Sequence, residues 1–534
     1  PPAQHRQSSL GLGQVFRLIA EAVRSIASMA IAGGAARRPR RDGDGSVVTV
    51  EEAIEEIGIG RTQWVLMLIC GLTFCSDAAE VTFLSFVTEQ LKCEWGLTSA
   101  QQTYITQAVF VGMAFGAPVW GYIADRIGRR PAFLLCSVVI CSFGFGTAAA
   151  NSFFSLLVLR AVVGFGVSGL PVGFDILAEA LPAAGRGAFL LYIEFFWTIG
   201  SIYTSITAWL TLETLGWRTF TMLAAIPTLV ASLGGLVLLP ESPRWLYEEG
   251  RSDEALQILN EWSKRNGSGK VFEGLKKSKE NTHPPGVTEL VTNRKLRWNL
   301  VFMALVWFGF GVAYFGIVSL LPRIFADIDK AEPFLPTNMT AFGGEAGDNA
   351  TETVARLLTE VKCDVSFNFA DISLSSGAEV LGVVLAIFLI DRPGRTWTQG
   401  IFYALGALMA IVLGFRSINL NILTVAACVA RLSEMAACSA TWVHTPELFP
   451  TSVRAEAHGM LNLVSKAGAF LGQYLISDAF SQKVCGFTMA GISLLAGLAA
   501  LALPETALDE LKGELTDDSC SEDEGSAETS SSEE

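Results

Sequence analysis

Long apolar runs alternate with short polar breaks along most of this chain. Twelve runs of about 20 residues stand out, the length an α-helix needs to cross a ~30 Å hydrocarbon core. Six fall at 63–86, 103–123, 131–150, 153–178, 187–210 and 218–239, and six more at 298–322, 374–390, 397–415, 419–443, 457–478 and 484–503. The pattern predicts an all-α membrane protein of twelve transmembrane helices in two six-helix bundles. Segment 1–61 precedes the first bundle (62–239), and a polar linker (240–297) leads to the second (298–503). A long loop (327–373) interrupts the second bundle, and an acidic tail (504–534) closes the chain.

Basic residues set the sidedness. The stretch from Pro240 to Arg297 holds eleven Lys and Arg, whereas Asp327 to Ser373 holds only Lys330, Arg356 and Lys362. By the positive-inside rule the first is cytosolic and the second external or lumenal. An even number of spans then places both termini in the cytosol. The loop carries two glycosylation sequons on the external side, at Asn338 and Asn349. Cys93 and Cys363 both fall in outer loops, where an oxidising compartment allows a disulfide; two unlinked thiols are the alternative.

Composition agrees with several spans. The chain is 51% hydrophobic and 17% charged, against about 25% charged in an average soluble protein. The net charge of −14 belongs mostly to the tail. Pro504 to Glu534 has twelve Asp and Glu against one Lys, a balance of −11 that argues against nucleic-acid binding. Its last part, from Thr516, has only Cys520 and Ala527 as apolar residues and is expected to be disordered, with Ser519, Ser521 and Ser526 among acids as sites for acid-directed kinases. No phosphate loop, metal cluster or cofactor motif is present, and the four histidines form no catalytic group. The chain starts at Pro1 without Met, so a start further upstream is expected. Leu12, Val15, Phe16, Ile19, Val23 and Ile26 recur at helical spacing, as in an amphipathic surface helix, a targeting segment or a weakly ordered tail.

The chain repeats itself. Asp125-Arg-Ile-Gly-Arg recurs as Asp391-Arg-Pro-Gly-Arg, the Glu179…Arg186 motif as Glu447…Arg454, and Pro240-Glu-Ser as Pro504-Glu-Thr. The offsets are 266, 268 and 264 residues, in the same order. A duplicated six-helix half follows. Two such halves, related by an axis along the membrane normal, enclose a midplane cavity and rock to expose it to alternate sides.

These residues resemble the major facilitator superfamily. Gly121 to Arg130 matches its loop signature, and Asp391 to Arg395 matches less fully, with Ile387 in place of a leading Gly and Thr396 in place of the last basic residue. The Pro240–Leu246 run and Pro504-Glu-Thr resemble the sugar porter and organic ion transporter branch. Val50–Trp64, Cys93-Glu-Trp, Tyr192–Gly200 and Thr445–Thr451 are similar to the synaptic vesicle two-related proteins. The resemblance spans about 50 to 506 and implies a carrier, not an enzyme.

Charges inside spans cost roughly 2.5–3.5 kcal/mol each and face the bundle interior. Asp77 and Glu80, three residues apart, share a helix face. Asp77 is a candidate proton-coupling or substrate-contacting group, or a static partner of Arg431 or Lys466. Arg160 and Arg431 would hold an anionic solute or pair with Asp77 or Glu80. Glu194 and Glu379 are further interior candidates. Lys466 would neutralise Glu434 or bind solute. Trp197, one turn from Glu194, suits a ring-bearing or cationic solute, and the resemblance places an aromatic of this position in the central cavity. Trp307 and Tyr314 are weaker candidates.

The loop residues Gly121, Asp125, Arg126, Gly128, Arg129, Arg130, Asp391, Arg392 and Arg395, with Glu179, Arg186, Glu447 and Arg454, are expected to form a conformational latch. Gly121 and Gly128 would permit close backbone approach, and the charges would form cytosolic networks between the bundles; setting topology alone is the other role open to them. The expected function is a secondary active transporter of a small organic solute (organic ion, nicotinate-like acid or sugar), coupled to protons. The alternatives are a non-transporting vesicle-type membrane protein and a sugar uniporter. The expected partners are solute, protons and the lipid bilayer of the plasma membrane or an intracellular vesicle, with a monomeric protein.

Overall fold

The computed structural model describes residues 47–182, 186–276, 288–325, 367–390, 392–415, 418–449, 453–477 and 480–506. The expectations for the segment before 47, the sequons Asn338 and Asn349, Cys363, Asp391 and the acidic tail lie outside the described residues, as do the side chains of Cys93 and Arg454.

In chain order, a two-residue strand β1 (Val47–Val48) and α1 (Val50–Ile57) precede the first half. That half comprises α2 (Arg61–Glu94), α3 (Ser99–Ile127), α4 (Arg129–Thr147), α5 (Phe153–Val167), α6 (Pro171–Glu179), α7 (Arg186–Leu191), α8 (Ile193–Ala224) and α9 (Ile226–Leu238). The linker forms α10 (Pro243–Glu248), α11 (Ser252–Asn266), β2 (Gly274–Leu275) and α12 (Thr288–Thr292). The second half comprises α13 (Arg294–Ile324), α14 (Phe369–Leu389), α15 (Arg395–Leu413), α16 (Leu420–Leu448), α17 (Arg454–Leu475) and α18 (Gln482–Leu501). The end of the bundle that carries the linker is called the linker side below, and its opposite the far side.

Polar residues start these helices where the apolar runs begin. The hydroxyls of Thr98 and Ser152 accept from backbone amides of α3 and α5, and Asn293 and Ser481 do the same for α13 and α18. Among the described residues ten helical stretches are long and apolar enough to cross a membrane. One of them, Phe189–Leu238, has 50 residues and would run about 75 Å if straight, far more than one crossing needs. It turns back at Gly216, whose φ of +81° lies in the left-handed region, and so supplies two spans. α17, with Lys466 in its middle, is a further long helix of the bundle. The architecture is compatible with the twelve spans expected.

Close helix pairs repeat between the halves. A Cβ at Gly112 or Gly164 would strike the backbone of the facing helix, so α3 and α5 touch main chain to main chain. Gly382 plays that part between α14 and α16, Gly200 between α8 and α2, and Gly311 between α13 and α17. The halves meet where α8 packs on α14, α3 on α17 and α2 on α13. Large apolar side chains such as Phe154, Leu210 and Val237 stay exposed on the outer faces, as lipid contact requires.

A polar cap closes the linker side. β1 pairs in parallel with β2, joining the chain before the first span to the linker after the sixth. Asn266 of α11 accepts from the Thr62 amide at 2.9 Å and donates to Gln63 at 2.8 Å, and Lys270 pairs with Glu56 at 2.7 Å.

Candidate functional site

The seam between the halves carries one continuous polar chain. Glu379 sits on α14 and Arg431 on α16, 0% and 1% exposed. Arg431 donates through Nε and Nη2 to Glu379 Oε1 at 2.9 and 2.8 Å, and through Nη1 to Ser376 at 2.8 Å. Tyr314 of α13 donates to the same Oε1 at 2.8 Å. The indole N–H of Trp197, on α8 in the other half, donates to the Tyr314 hydroxyl. Glu194, one turn earlier on α8, is buried within electrostatic reach of Glu379. Carboxylate, guanidinium, phenol and indole thus converge from four helices, the mix of apolar walls and few polar groups that solute sites use.

Asp77 sits on α2, the helix that packs against both α8 and α13. Its side chain is half-buried, its shielded Oδ1 has no hydrogen-bond partner, and its charged neighbours are Lys466 of α17 and Glu80. Lys466 comes from the other half and lies over the Phe315 ring at 5.2 Å.

Arg160 pairs with Glu80 at 2.7 Å, one of its two expected partners, and also donates to Thr147, all within the first half. Two other expected pairings differ. Arg431 takes Glu379 instead of Asp77 or Glu80. Glu434 is not met by Lys466: it accepts from Ser493 at 3.0 Å and lies against Gly406, between α15, α16 and α18. Helical spacing fixes which residues share a face but not which neighbour that face meets, and these pairings turn on the neighbour.

Two layers of cross-half contacts flank the midplane. On the linker side Phe74 and Phe174 meet Trp442, and Phe174 also meets His458. Trp307 packs on Trp442 and His458 and donates to Thr445 at 3.0 Å. On the far side Glu89 pairs with Arg323 at 2.8 Å, and Phe86 contacts Phe367 and Phe369. The sequence reading missed Glu89, Arg323, Phe74, Phe174, Trp442 and His458. Glu89 and Arg323 read as ordinary charges at span ends, and the rings as ordinary membrane aromatics.

The loop charges form two similar networks on the linker side. Arg129 pairs with Asp125 at 2.9 Å and Glu179 at 3.4 Å, and Glu241 accepts the backbone amides of Arg129 and Arg130 at 2.9 and 3.2 Å. In the second half Arg395 pairs with Glu447 at 2.9 Å, and Glu505 accepts the amides of Arg395 and Thr396 at 2.8 and 3.0 Å. Both acids cap a helix N-terminus. The described pairs of both networks join helices of one half, and none of them is the contact between bundles that was expected. The repeated Pro-Glu landmark was the available signal for Glu241 and Glu505. Gly128 has φ +106°, and a Cβ there would meet the Glu241 carboxylate, so glycine is needed. Gly121 is not needed in that way: a Cβ there meets open space, because this face of α3 points outward. Arg126 lies over the Tyr122 ring, Arg186 donates to the Leu181 carbonyl at 2.9 Å, and Arg392 is exposed.

Comparison with known proteins decides the family. The sugar (and other) transporter family matches residues 64–342. The synaptic vesicle 2-related protein of Rattus norvegicus is 31% identical over 464 residues, covering 85% of this chain and 80% of its own. The chain belongs to the sugar (and other) transporter family. It is a major facilitator superfamily member of the synaptic vesicle 2-related branch, an integral membrane protein and a secondary transporter, not an enzyme. The niacin transporter NiaP of Acinetobacter baylyi is 26% identical, covering 84% of this chain and 95% of its own. The partially occluded inward open xylose transporter XylE from E. coli superposes with a TM-score of 0.60 at 16% identity, over 83% of this chain and 100% of that one, a likeness of fold.

Proposed function

We propose that this chain carries a small ring-bearing organic ion across the membrane in exchange for, or together with, protons, and that its linker side faces the cytosol. The Trp197–Tyr314–Glu379–Arg431 chain is the observation that supports this reading. Its Trp197–Tyr314 bond crosses the seam, so a solute that replaces that bond also removes a tie between the halves. Trp197 and Tyr314 offer ring faces. Glu194 has no cationic side chain paired with it among the described residues, so this part of the seam favours a cationic solute.

Asp77 is the coupling acid of this proposal. Ionised, it attracts Lys466 across the seam; protonated, it releases that attraction and needs no partner charge. The proton is thereby exchanged for a contact between the halves, which is what couples protonation to their motion. An anionic, nicotinate-like solute is the second reading. Lys466 and Arg431 would hold its carboxylate, and the Acinetobacter baylyi relative is named a niacin transporter.

The test is uptake into proteoliposomes of labelled organic cations, nicotinate and sugars, with and without a pH gradient. The proposal expects one ring-bearing ion to accumulate only with the gradient. Accumulation indifferent to the gradient, or of a neutral sugar alone, would overturn it.

A further inference from the structure

A groove of about 790 Å³ opens on the linker side between α2, α9 and α11, away from the seam. Arg61, Arg130, Lys264 and Arg265 line it, with Glu261 as the acid among them. Glu261 is engaged by Arg265 at 2.5 Å. Among the described residues no carboxylate side chain pairs with Arg61, Arg130 or Lys264. Two polar atoms of the wall, Thr62 Oγ1 and Arg130 Nε, have no hydrogen-bond partner, although Thr62 is only 5% exposed. The groove therefore holds positive charge and hydrogen-bonding capacity that the protein itself leaves unmatched.

The other wall is apolar. Val65, Val237 and Leu238 line the groove and are 37%, 78% and 49% exposed. They belong to spans, so their exposed sides continue into the lipid-facing surface. A soluble anion would use the cations and leave this wall bare. A lipid uses both, with its headgroup on the cations and its chains along the wall.

We propose that this groove binds an anionic phospholipid from the leaflet on the linker side. Arg61, Lys264 and Arg130 hold the headgroup phosphate, and Val65, Val237 and Leu238 hold the acyl chains. The site rests only on the membrane placement of the chain and is independent of which solute is carried.

The test measures binding of dioctanoyl phosphatidylinositol 4-phosphate to the full-length protein in phosphatidylcholine nanodiscs. The probes compared with it are dioctanoyl phosphatidylcholine and the deacylated headgroup, glycerophosphoinositol 4-phosphate. The anionic lipid is expected to bind best, and the deacylated headgroup not measurably. Arg61→Gln with Lys264→Gln should weaken the lipid roughly five-fold for each cation removed, about twenty-five-fold together. Arg294→Gln with Lys295→Gln, on the linker side of the other half, should leave it unchanged. A photoactivatable anionic lipid should label the wild-type protein within 61–66 or 237–239, a readout that needs no variant. Equal binding of the deacylated headgroup would mark a free-phosphate site and overturn the proposal. Equal binding of phosphatidylcholine, equal loss in the control pair, or labelling elsewhere would overturn it too.

Discussion

Trp197 of the first half donates its indole N–H to the hydroxyl of Tyr314 in the second, and that hydroxyl donates in turn to Glu379. One oxygen therefore joins the two halves at the level of the buried ion pair. Tyr314→Phe removes that oxygen and leaves the Trp197 N–H unpaired. An unpaired buried donor costs about 1–3 kcal/mol. The population with a closed seam should fall on the order of ten-fold, read as spin-label distances between α8 and α13. Unchanged distances would show that the hydrogen bond does not hold the seam.

The two buried ion pairs should respond alike to removal of one partner. Glu379→Leu leaves Arg431, and Glu80→Leu leaves Arg160, as an uncompensated buried charge. Each should cost roughly 3–5 kcal/mol of stability. The double replacement Glu80→Leu with Arg160→Met should recover most of this loss, because an apolar pair of similar volume needs no compensation. Thermal unfolding in detergent checks both, and failure of the double variant to recover would assign the Glu80–Arg160 pair a role beyond charge balance.

Glu89 and Arg323 join the halves on the far side and are 13% and 18% exposed. Glu89→Gln should weaken that side only. A cysteine-reactive probe added from the far side should label a cysteine placed at Ser319 faster in this variant than in wild type. Equal labelling rates would mean that the aromatic contacts of Phe86 hold the far side closed by themselves.

The fold was legible because its signals are long and repeated: apolar runs of span length, and three landmarks at nearly one offset. The capping acids Glu241 and Glu505 lie inside a repeated landmark, yet the repeat alone did not single them out, because nothing in the sequence shows which helix end they meet. The partners of buried charges were less legible. Arg431 has carboxylates on several helices within chain distance, and only packing selects Glu379. The gates were least legible, since Phe74, Trp442 and His458 carry no charge pattern and come from three separate helices. Gly121 and Gly128 look equivalent in the loop signature, yet only Gly128 has a backbone conformation that excludes other residues.

The cap on the linker side should loosen in acid. The Glu52 carboxyl accepts from the Thr49 amide at 2.8 Å and pairs with Lys276 at 3.1 Å. The backbone hydrogen bond from Thr49, followed by Lys276, holds its pKa below the ordinary value of 4.5. A depressed carboxyl pKa stabilises the folded form above the unfolded value, and the contribution is lost as pH falls through the folded one. Amide exchange across 47–57, corrected for its intrinsic pH dependence, should show lower protection at about pH 3 than at about pH 6. Glu52→Gln should remove that dependence. Thr49→Ala should cost about 1 kcal/mol at either pH.

The central claim is that protonation of Asp77 is coupled to movement of solute through the seam. The most direct measurement compares two fluxes of the transported solute in proteoliposomes holding wild type or Asp77→Asn. One is uptake driven by a pH gradient, and the other is exchange of labelled for unlabelled solute without a gradient. The account predicts that wild type performs both, and that Asp77→Asn keeps exchange while losing gradient-driven uptake. Gradient-driven uptake at the wild-type rate in Asp77→Asn would contradict it.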